Sequence, residues 1–88
     1  MAKEKLAIDF DSAVTNIYKL GSGLVLSEPT VIAISSDGKN NVKAIGSEAK
    51  KLIGKTAHNT KIVFPVFEGE IVNEKAAIKL LSAFLDKS

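Results

Sequence analysis

Hydrophobic and polar positions alternate in short blocks along most of the chain, which is typical of strands joined by tight turns. The first block, residues 6–8, is continuously apolar, which predicts a strand buried on both faces. The apolar pattern stops after residue 26, where Pro29 interrupts it. Pro65 indicates an edge strand, because proline has no N–H to donate to a neighbouring strand of the sheet. The predicted strands are residues 6–8, 14–20, 24–26, 30–35, 42–45 and 61–66.

Two segments have the pattern of helices. Residues 48–53 predict a short helix with Ser47 as its N-cap. A longer helix is predicted from the N-cap Asn73 to about Asp86, and it should pack on the sheet built by the first strands. Its apolar stripe consists of Ala77, Leu80, Leu81, Phe84 and Leu85.

Composition narrows the class of protein. The 88 residues fit one domain, and no apolar run approaches the roughly 20 residues of a membrane span. The charged start lacks the apolar segment of a signal peptide, so we expect a cytoplasmic protein. The absence of cysteine excludes disulfides and thiolate sites. The net charge is +2, and the lysines are scattered with no arginine, which disfavours nucleic-acid binding.

Asp9 and Asp11 are the strongest candidates for chemistry. In a strand, side chains two residues apart point the same way, so both carboxylates could face one divalent cation. The favoured interpretation from composition alone is an Asx turn, because aspartate caps local N–H groups. A small metal-binding module remains an alternative. His58 lies in a polar loop without a neighbouring carboxylate, and we interpret it as exposed.

Four blocks resemble the N-terminal part of the MreB-type bacterial actin family, and together they extend over nearly the whole chain. The second and third blocks are the most specific. The blocks are residues 8–15 (IDFDSAVT), 23–34 (GLVLSEPTVIAI), 44–56 (AIGSEAKKLIGKT) and 68–72 (EGEIV).

The resemblance implies a mixed α/β fold, a partial actin-like or ribonuclease-H-like lobe. Such a lobe begins with a β-meander of subdomain IA, carries an inserted IB unit at about residues 35–65, and returns to IA through the last helix. In this family, the residue matching Asp9 positions a nucleotide-bound magnesium ion through water. Ser12 and Thr15 match hydroxyl positions of the first phosphate loop.

Two departures from the family pattern bear on function. The family has glycine at the position of Asp11 and asparagine at that of Val14, and a carboxylate at residue 11 repels phosphate. Two like charges about 4 Å apart at an effective dielectric of 20 cost roughly 4 kcal/mol, enough to abolish weak binding. The second phosphate loop and the adenosine pocket of the family have no counterpart in these 88 residues.

Two functions follow from the resemblance. The first is a non-catalytic module without a cofactor, acting by self-association or by contact with actin-like filament proteins in cell shape or division. The second is one lobe of an ATP-binding ATPase, in which Asp9, Ser12 and Thr15 contribute to binding magnesium-ATP. We expect the isolated chain not to be an enzyme.

Overall fold

The computed structural model describes residues 5–36, 41–55 and 59–88. These residues form eight strands and two helices in one α/β arrangement. The elements are β1 (Leu6–Phe10), β2 (Val14–Lys19), β3 (Gly23–Pro29), β4 (Ile32–Ser35), β5 (Val42–Ile45), α1 (Gly46–Lys51), β6 (Thr60–Val63), β7 (Val66–Phe67), β8 (Glu70–Ile71) and α2 (Glu74–Lys87).

The strands form two three-stranded antiparallel sheets and one small hairpin. The first sheet has the order β1-β2-β3, the second has the order β5-β4-β6, and β7 pairs with β8. Among the described residues, β1 therefore has a neighbouring strand on one side only. Among the described residues β6 pairs with β4 alone, which confirms the predicted edge position, but the strand ends at Val63 and does not continue through Pro65 to residue 66.

The main core lies between the strands and α2. Leu80 and Phe84 of α2 are fully buried and share one cluster with side chains of β2, β3 and β4, as their helical spacing predicts. Leu81 is only half-buried and Leu85 is exposed, so the predicted stripe is wider than the buried one. The buried members of the cluster are Ile17, Leu26, Ile32, Ile34, Ala76, Leu80 and Phe84.

The strand buried on both faces is β4, and the prediction that residues 6–8 have this role is wrong. Ile32 and Ile34 pack in the α2 cluster, whereas Val31 and Ala33 pack against Ala49 of α1. Helices thus cover β4 from both sides. Residues 6–8 lie in β1, which is at the edge of the first sheet among the described residues, and all three are exposed.

The structure corrects two further boundaries. β3 continues through Ser27 and Glu28 to Pro29, because proline at the last residue of the strand interrupts no inner pairing. α1 begins at Gly46, with Ile45 at the N-cap position and no side-chain cap, so Ser47 is not the N-cap.

The predicted start of the last helix is confirmed. The Asn73 side chain accepts a hydrogen bond of 3.0 Å from the Ala76 N–H, and α2 then extends to Lys87. Within the described residues, neither helix combines the length and apolarity needed to cross a bilayer.

Candidate functional site

The loop between β1 and β2 carries the predicted phosphate-loop residues, and backbone hydrogen bonds hold its ends. The Asp11 N–H donates to the Val14 carbonyl over 3.2 Å, and the Thr30 N–H donates to the Ala13 carbonyl over 3.2 Å. Asp9 lies opposite Asn16 in the β1–β2 ladder. The loop is therefore a tight hairpin connection tied to the chain that follows β3.

Side chains at the tip of the loop face solvent. Asp9, Asp11 and Ser12 are exposed, and Val14 is half-buried. The structure thus places both carboxylates and one of the two predicted hydroxyls on an accessible surface.

The two carboxyl groups interact with each other. A side-chain hydrogen bond with Asp9, together with its negative charge and slight desolvation, raises the pKa of Asp11 above its usual value of 3.8. The repulsion between two close carboxylates is reduced when one of them is protonated or when a cation binds nearby. The Asp9–Asp11 pair therefore favours the binding of a cation and disfavours the binding of an anion.

Thr15 occupies a different environment from the other candidates. It is fully buried, and its hydroxyl lies 2.7 Å from the Thr30 hydroxyl. Each hydroxyl satisfies the other in the interior, which connects the start of β2 to the segment after β3. The Thr15 side chain thus stabilises the β1–β2 loop from the interior of the protein. Its role as a phosphate ligand stays a prediction.

Carboxylates from elsewhere in the chain do not complete a metal centre. Among residues 5–36, 41–55 and 59–88, no group of three or more His, Asp or Glu side chains is placed to hold a metal ion. Asp9 and Asp11 can offer oxygen ligands to a hard cation only alongside water or another molecule. His58, the only histidine, lies outside the described residues.

A second polar cluster was not predicted from the sequence, and we call it the closed junction: Glu28, Gly46, Ser47 and Lys87, with the Thr15–Thr30 pair beside it. The Ser47 N–H donates to Glu28 Oε1 over 2.8 Å, and Lys87 Nζ contacts Glu28 Oε2. Glu28 therefore joins β3 to the start of α1 and the end of α2. Since α1 lacks a side-chain cap of its own, Glu28 satisfies one of its free N–H groups.

Glu28 is charged in this junction. Burial disfavours its ionised form, but hydrogen bonds from Lys87 and Ser47 outweigh burial, so the pKa of Glu28 falls below its usual value of 4.5. Gly46 permits the contact. Its φ is +58°, and a Cβ there would lie 2.2 Å from Glu28 Oε1. The glycine at the start of α1 was the one sequence signal for this contact.

Known proteins resemble this chain along almost its entire length. A family model for MreB/Mbl protein matches residues 3–88. The cell shape-determining protein MreB of Escherichia coli K12 is 36% identical over 88 residues, covering 97% of this chain and 25% of the relative. The cell shape-determining protein Mbl of Bacillus subtilis is 31% identical over 87 residues, covering 99% of this chain and 26% of the relative.

Solved structures agree with the sequence relatives. MreB5 of Spiroplasma citri bound to ADP superposes with a TM-score of 0.87 at 28% identity, covering 98% of this chain and 26% of that protein. MreB5 bound to AMPPNP superposes with a TM-score of 0.84. The fold is thus the predicted mixed α/β, actin-like one, and the chain spans about a quarter of the length of its relatives. This chain belongs to the MreB/Mbl family.

Proposed function

We propose that this chain is a non-catalytic MreB-like module of the cytoplasm that acts by binding protein, in cell shape or division. Its partner is another copy of itself or an actin-like filament protein. The observation that carries the proposal is the open edge, which we define as the side of β1 that faces away from β2. Unpaired strand edges bind further strands, because their N–H and C=O groups lack partners.

The surface beside the open edge is apolar. Leu6 and Ile8 are each 40% exposed, although they lie on the sheet face that α2 covers further along. A shallow groove between β1 and α2 continues this surface, and Ile78 in its wall is 61% exposed. The groove is lined by Phe10, Ile71, Glu74, Ala77, Ile78 and Leu81. An added strand would bury these side chains along with its own.

Binding assays on the whole chain test this role. Sedimentation from micromolar to millimolar concentration should reveal self-association, or the chain should pellet with filaments of a full-length MreB. Ile8→Lys should abolish the interaction by charging the open edge. Leu24→Lys is the matched control, because Leu24 is 54% exposed on β3, the opposite edge strand. A monomer that pellets with no filament would overturn the proposal.

The second candidate function is one lobe of a magnesium-ATP-binding protein, favoured by the nucleotide-bound state of the related MreB5 structures. Asp9 would hold magnesium through water, and Ser12 and Thr15 would contribute to the phosphate site. The exposed carboxylates fit a hard cation, but Asp11 repels a bare phosphate and the Thr15 hydroxyl is already bonded. In this candidate, residues 35–65 form the inserted IB unit of the lobe.

Amide NMR titration separates the two candidates. If the lobe binds nucleotide, magnesium-ATP should shift the amides of residues 9–15, and Asp11→Gly should strengthen the binding. Magnesium without nucleotide is the control for a metal effect alone. If magnesium-ATP shifts no amide at millimolar concentration in either variant, the nucleotide-binding candidate is wrong.

A further inference from the structure

Three lysines from two elements surround one shallow cavity between β6 and the first two turns of α2, which we call the lysine cavity. Its volume is about 160 Å³. The lining residues are Ile34, Lys61, Asn73, Lys75, Ala76 and Lys79. Because a water molecule takes roughly 30 Å³ in the liquid, the cavity has room for a small anion together with some of its water.

The register of the second sheet directs Lys61 toward α2. Lys61 lies opposite Ile34 in the β4–β6 ladder, and directly opposed residues share one face of a sheet. Ile34 packs in the cluster that contains Leu80 and Phe84 of α2. The Lys61 side chain therefore leaves the sheet on the side that α2 covers, where it lines the same cavity as the two lysines of the helix.

The helix contributes two of the three positive charges. Lys75 and Lys79 are four residues apart in α2 and so lie on one face of it, a spacing at which like charges destabilise a helix. Glu74, the carboxylate next to Lys75 in sequence, lines the groove between β1 and α2 instead. The residues that line the cavity thus carry three positive charges and no negative one.

These polar groups are not committed to partners within the part of the chain that the structure describes. Lys87 contacts Glu28, whereas the three cavity lysines form no ion pair with a described carboxylate. The Asn73 side-chain oxygen accepts the Ala76 N–H, which leaves the NH2 group of the same amide as a donor. The cavity therefore offers several donors and lacks an acceptor of negative charge.

We propose that the lysine cavity binds the phosphate group of a small molecule. Lys61, Lys75 and Lys79 donate charge-assisted hydrogen bonds to the phosphate oxygens, and the Asn73 amide supplies a further donor. A phosphate monoester carries nearly two negative charges at neutral pH, so it offsets three ammonium groups better than a carboxylate does. Lysine also binds phosphate as a point charge, whereas planar recognition of a carboxylate favours arginine.

Amide NMR titration of the whole chain with inorganic phosphate tests the site directly. Phosphate should shift the amides of residues 61 and 73–79 with a dissociation constant of roughly 1–10 mM, because the three lysines are exposed and their charges are screened. Sodium chloride at the same ionic strength is the control and should shift them little. If chloride shifts these amides as much as phosphate does, or if phosphate shifts only residues 9–15, the lysine cavity is not a phosphate site.

Charge reversal locates the binding among the lysines. Lys61→Glu and Lys79→Glu should each weaken phosphate binding about tenfold or more, since each replaces an attraction by a repulsion. Lys50→Glu is the matched control, because Lys50 is exposed on α1 outside the cavity, and it should change binding by less than about twofold. Equal weakening by all three variants would mean that only the net charge matters, which would overturn the proposal.

Thermal unfolding gives a second readout. Phosphate at about ten times its dissociation constant should raise the Tm of the wild-type chain by about 5 °C or more relative to sodium chloride. The triple variant Lys61→Gln/Lys75→Gln/Lys79→Gln should fold, since all three side chains are exposed, but should gain no stability from phosphate. A triple variant that phosphate stabilises as much as wild type would contradict the site. Such a failure leaves the proposed protein-binding role intact, because the open edge shares no residue with the lysine cavity.

Discussion

The closed junction and the open edge lie on the same sheet, but they differ in how completely their polar groups are paired and their apolar groups are covered. At the junction, each oxygen of Glu28 has a donor, and the hydroxyls of Thr15 and Thr30 bond each other. At the edge, the outward backbone groups of β1 have no neighbouring strand among the described residues, and Leu6 and Ile8 remain partly exposed.

This contrast separates stability from interaction. Buried polar groups that are fully paired hold elements in one geometry, and removing one partner leaves the other unsatisfied. Incompletely covered apolar groups cost little to change within the monomer but give a surface for association. We therefore expect substitutions at the junction to lower the free energy of unfolding, and substitutions at the edge to change binding.

The largest effect on stability should come from Gly46→Ala. The left-handed φ of +58° is unfavourable for alanine, and the new Cβ would displace the Glu28 carboxylate from the Ser47 N–H. Together these should lower the free energy of unfolding by about 2–3 kcal/mol in urea titrations. Gly54→Ala is the control, because Gly54 also has a positive φ but a Cβ there would meet no atom within 4 Å. This variant should lower the free energy of unfolding by about 1 kcal/mol. Equal losses would show that the Glu28 contact is not important.

Thr15→Val should have the next largest effect. It leaves the Thr30 hydroxyl buried without its partner and should cost about 1–2 kcal/mol in the free energy of unfolding. The double variant Thr15→Val/Thr30→Val removes both hydroxyls and should recover most of that loss. A double variant that loses the sum of the two single effects would contradict the pairing.

Glu28→Gln should weaken the junction in a pH-dependent way. Because the folded-state pKa of Glu28 is lowered, its contribution is fully present above about pH 4.5 and is lost as the pH falls through the lowered pKa. The variant should lose about 1 kcal/mol or less at neutral pH, since the Lys87 ammonium is half-exposed and screened by solvent. The two proteins should converge in stability at acid pH, and a constant difference would exclude the ionised contact.

Asp11→Asn should have the smallest effect on stability and the opposite sign. The pKa of Asp11 is raised in the fold, so the wild-type free energy of unfolding should decrease as the pH rises from about 3.8 through the raised pKa. Asparagine removes that decrease, so the variant should be slightly more stable at neutral pH. Thermal unfolding at low protein concentration, where the monomer prevails, measures this difference in stability. A less stable variant would mean that the carboxylate has a favourable partner within the monomer.

Several elements could be predicted because their causes are local. Asn73 caps α2 through a bond three residues ahead, and the spacing of Leu80 and Phe84 places both on one helix face. The pairing of Asp9 and Asp11 follows from strand alternation, and the pKa of Asp11 reflects it. The family resemblance also rested on local blocks, and the match over residues 3–88 confirms it.

The predictions from sequence that the structure contradicts share one cause. An apolar run shows that side chains favour burial, but not which layers exist to bury them. The apolar run at residues 6–8 predicts a buried strand, whereas β4 occupies the interior because α1 and α2 lie on its two faces. The Thr15 hydroxyl and the Glu28 carboxylate look like free polar groups until the fold brings Thr30 and Ser47 beside them.

The sequence by itself determined the family, the α/β class, the capped amphipathic helix and the acidic pair between the first two strands. These depend on contacts within a few residues or on blocks that the family shares. Only the tertiary structure decided that Thr15 is internal, that Glu28 joins three elements and that, among the described residues, β1 pairs with β2 alone. Those outcomes depend on contacts between residues up to 59 positions apart, which no local pattern encodes.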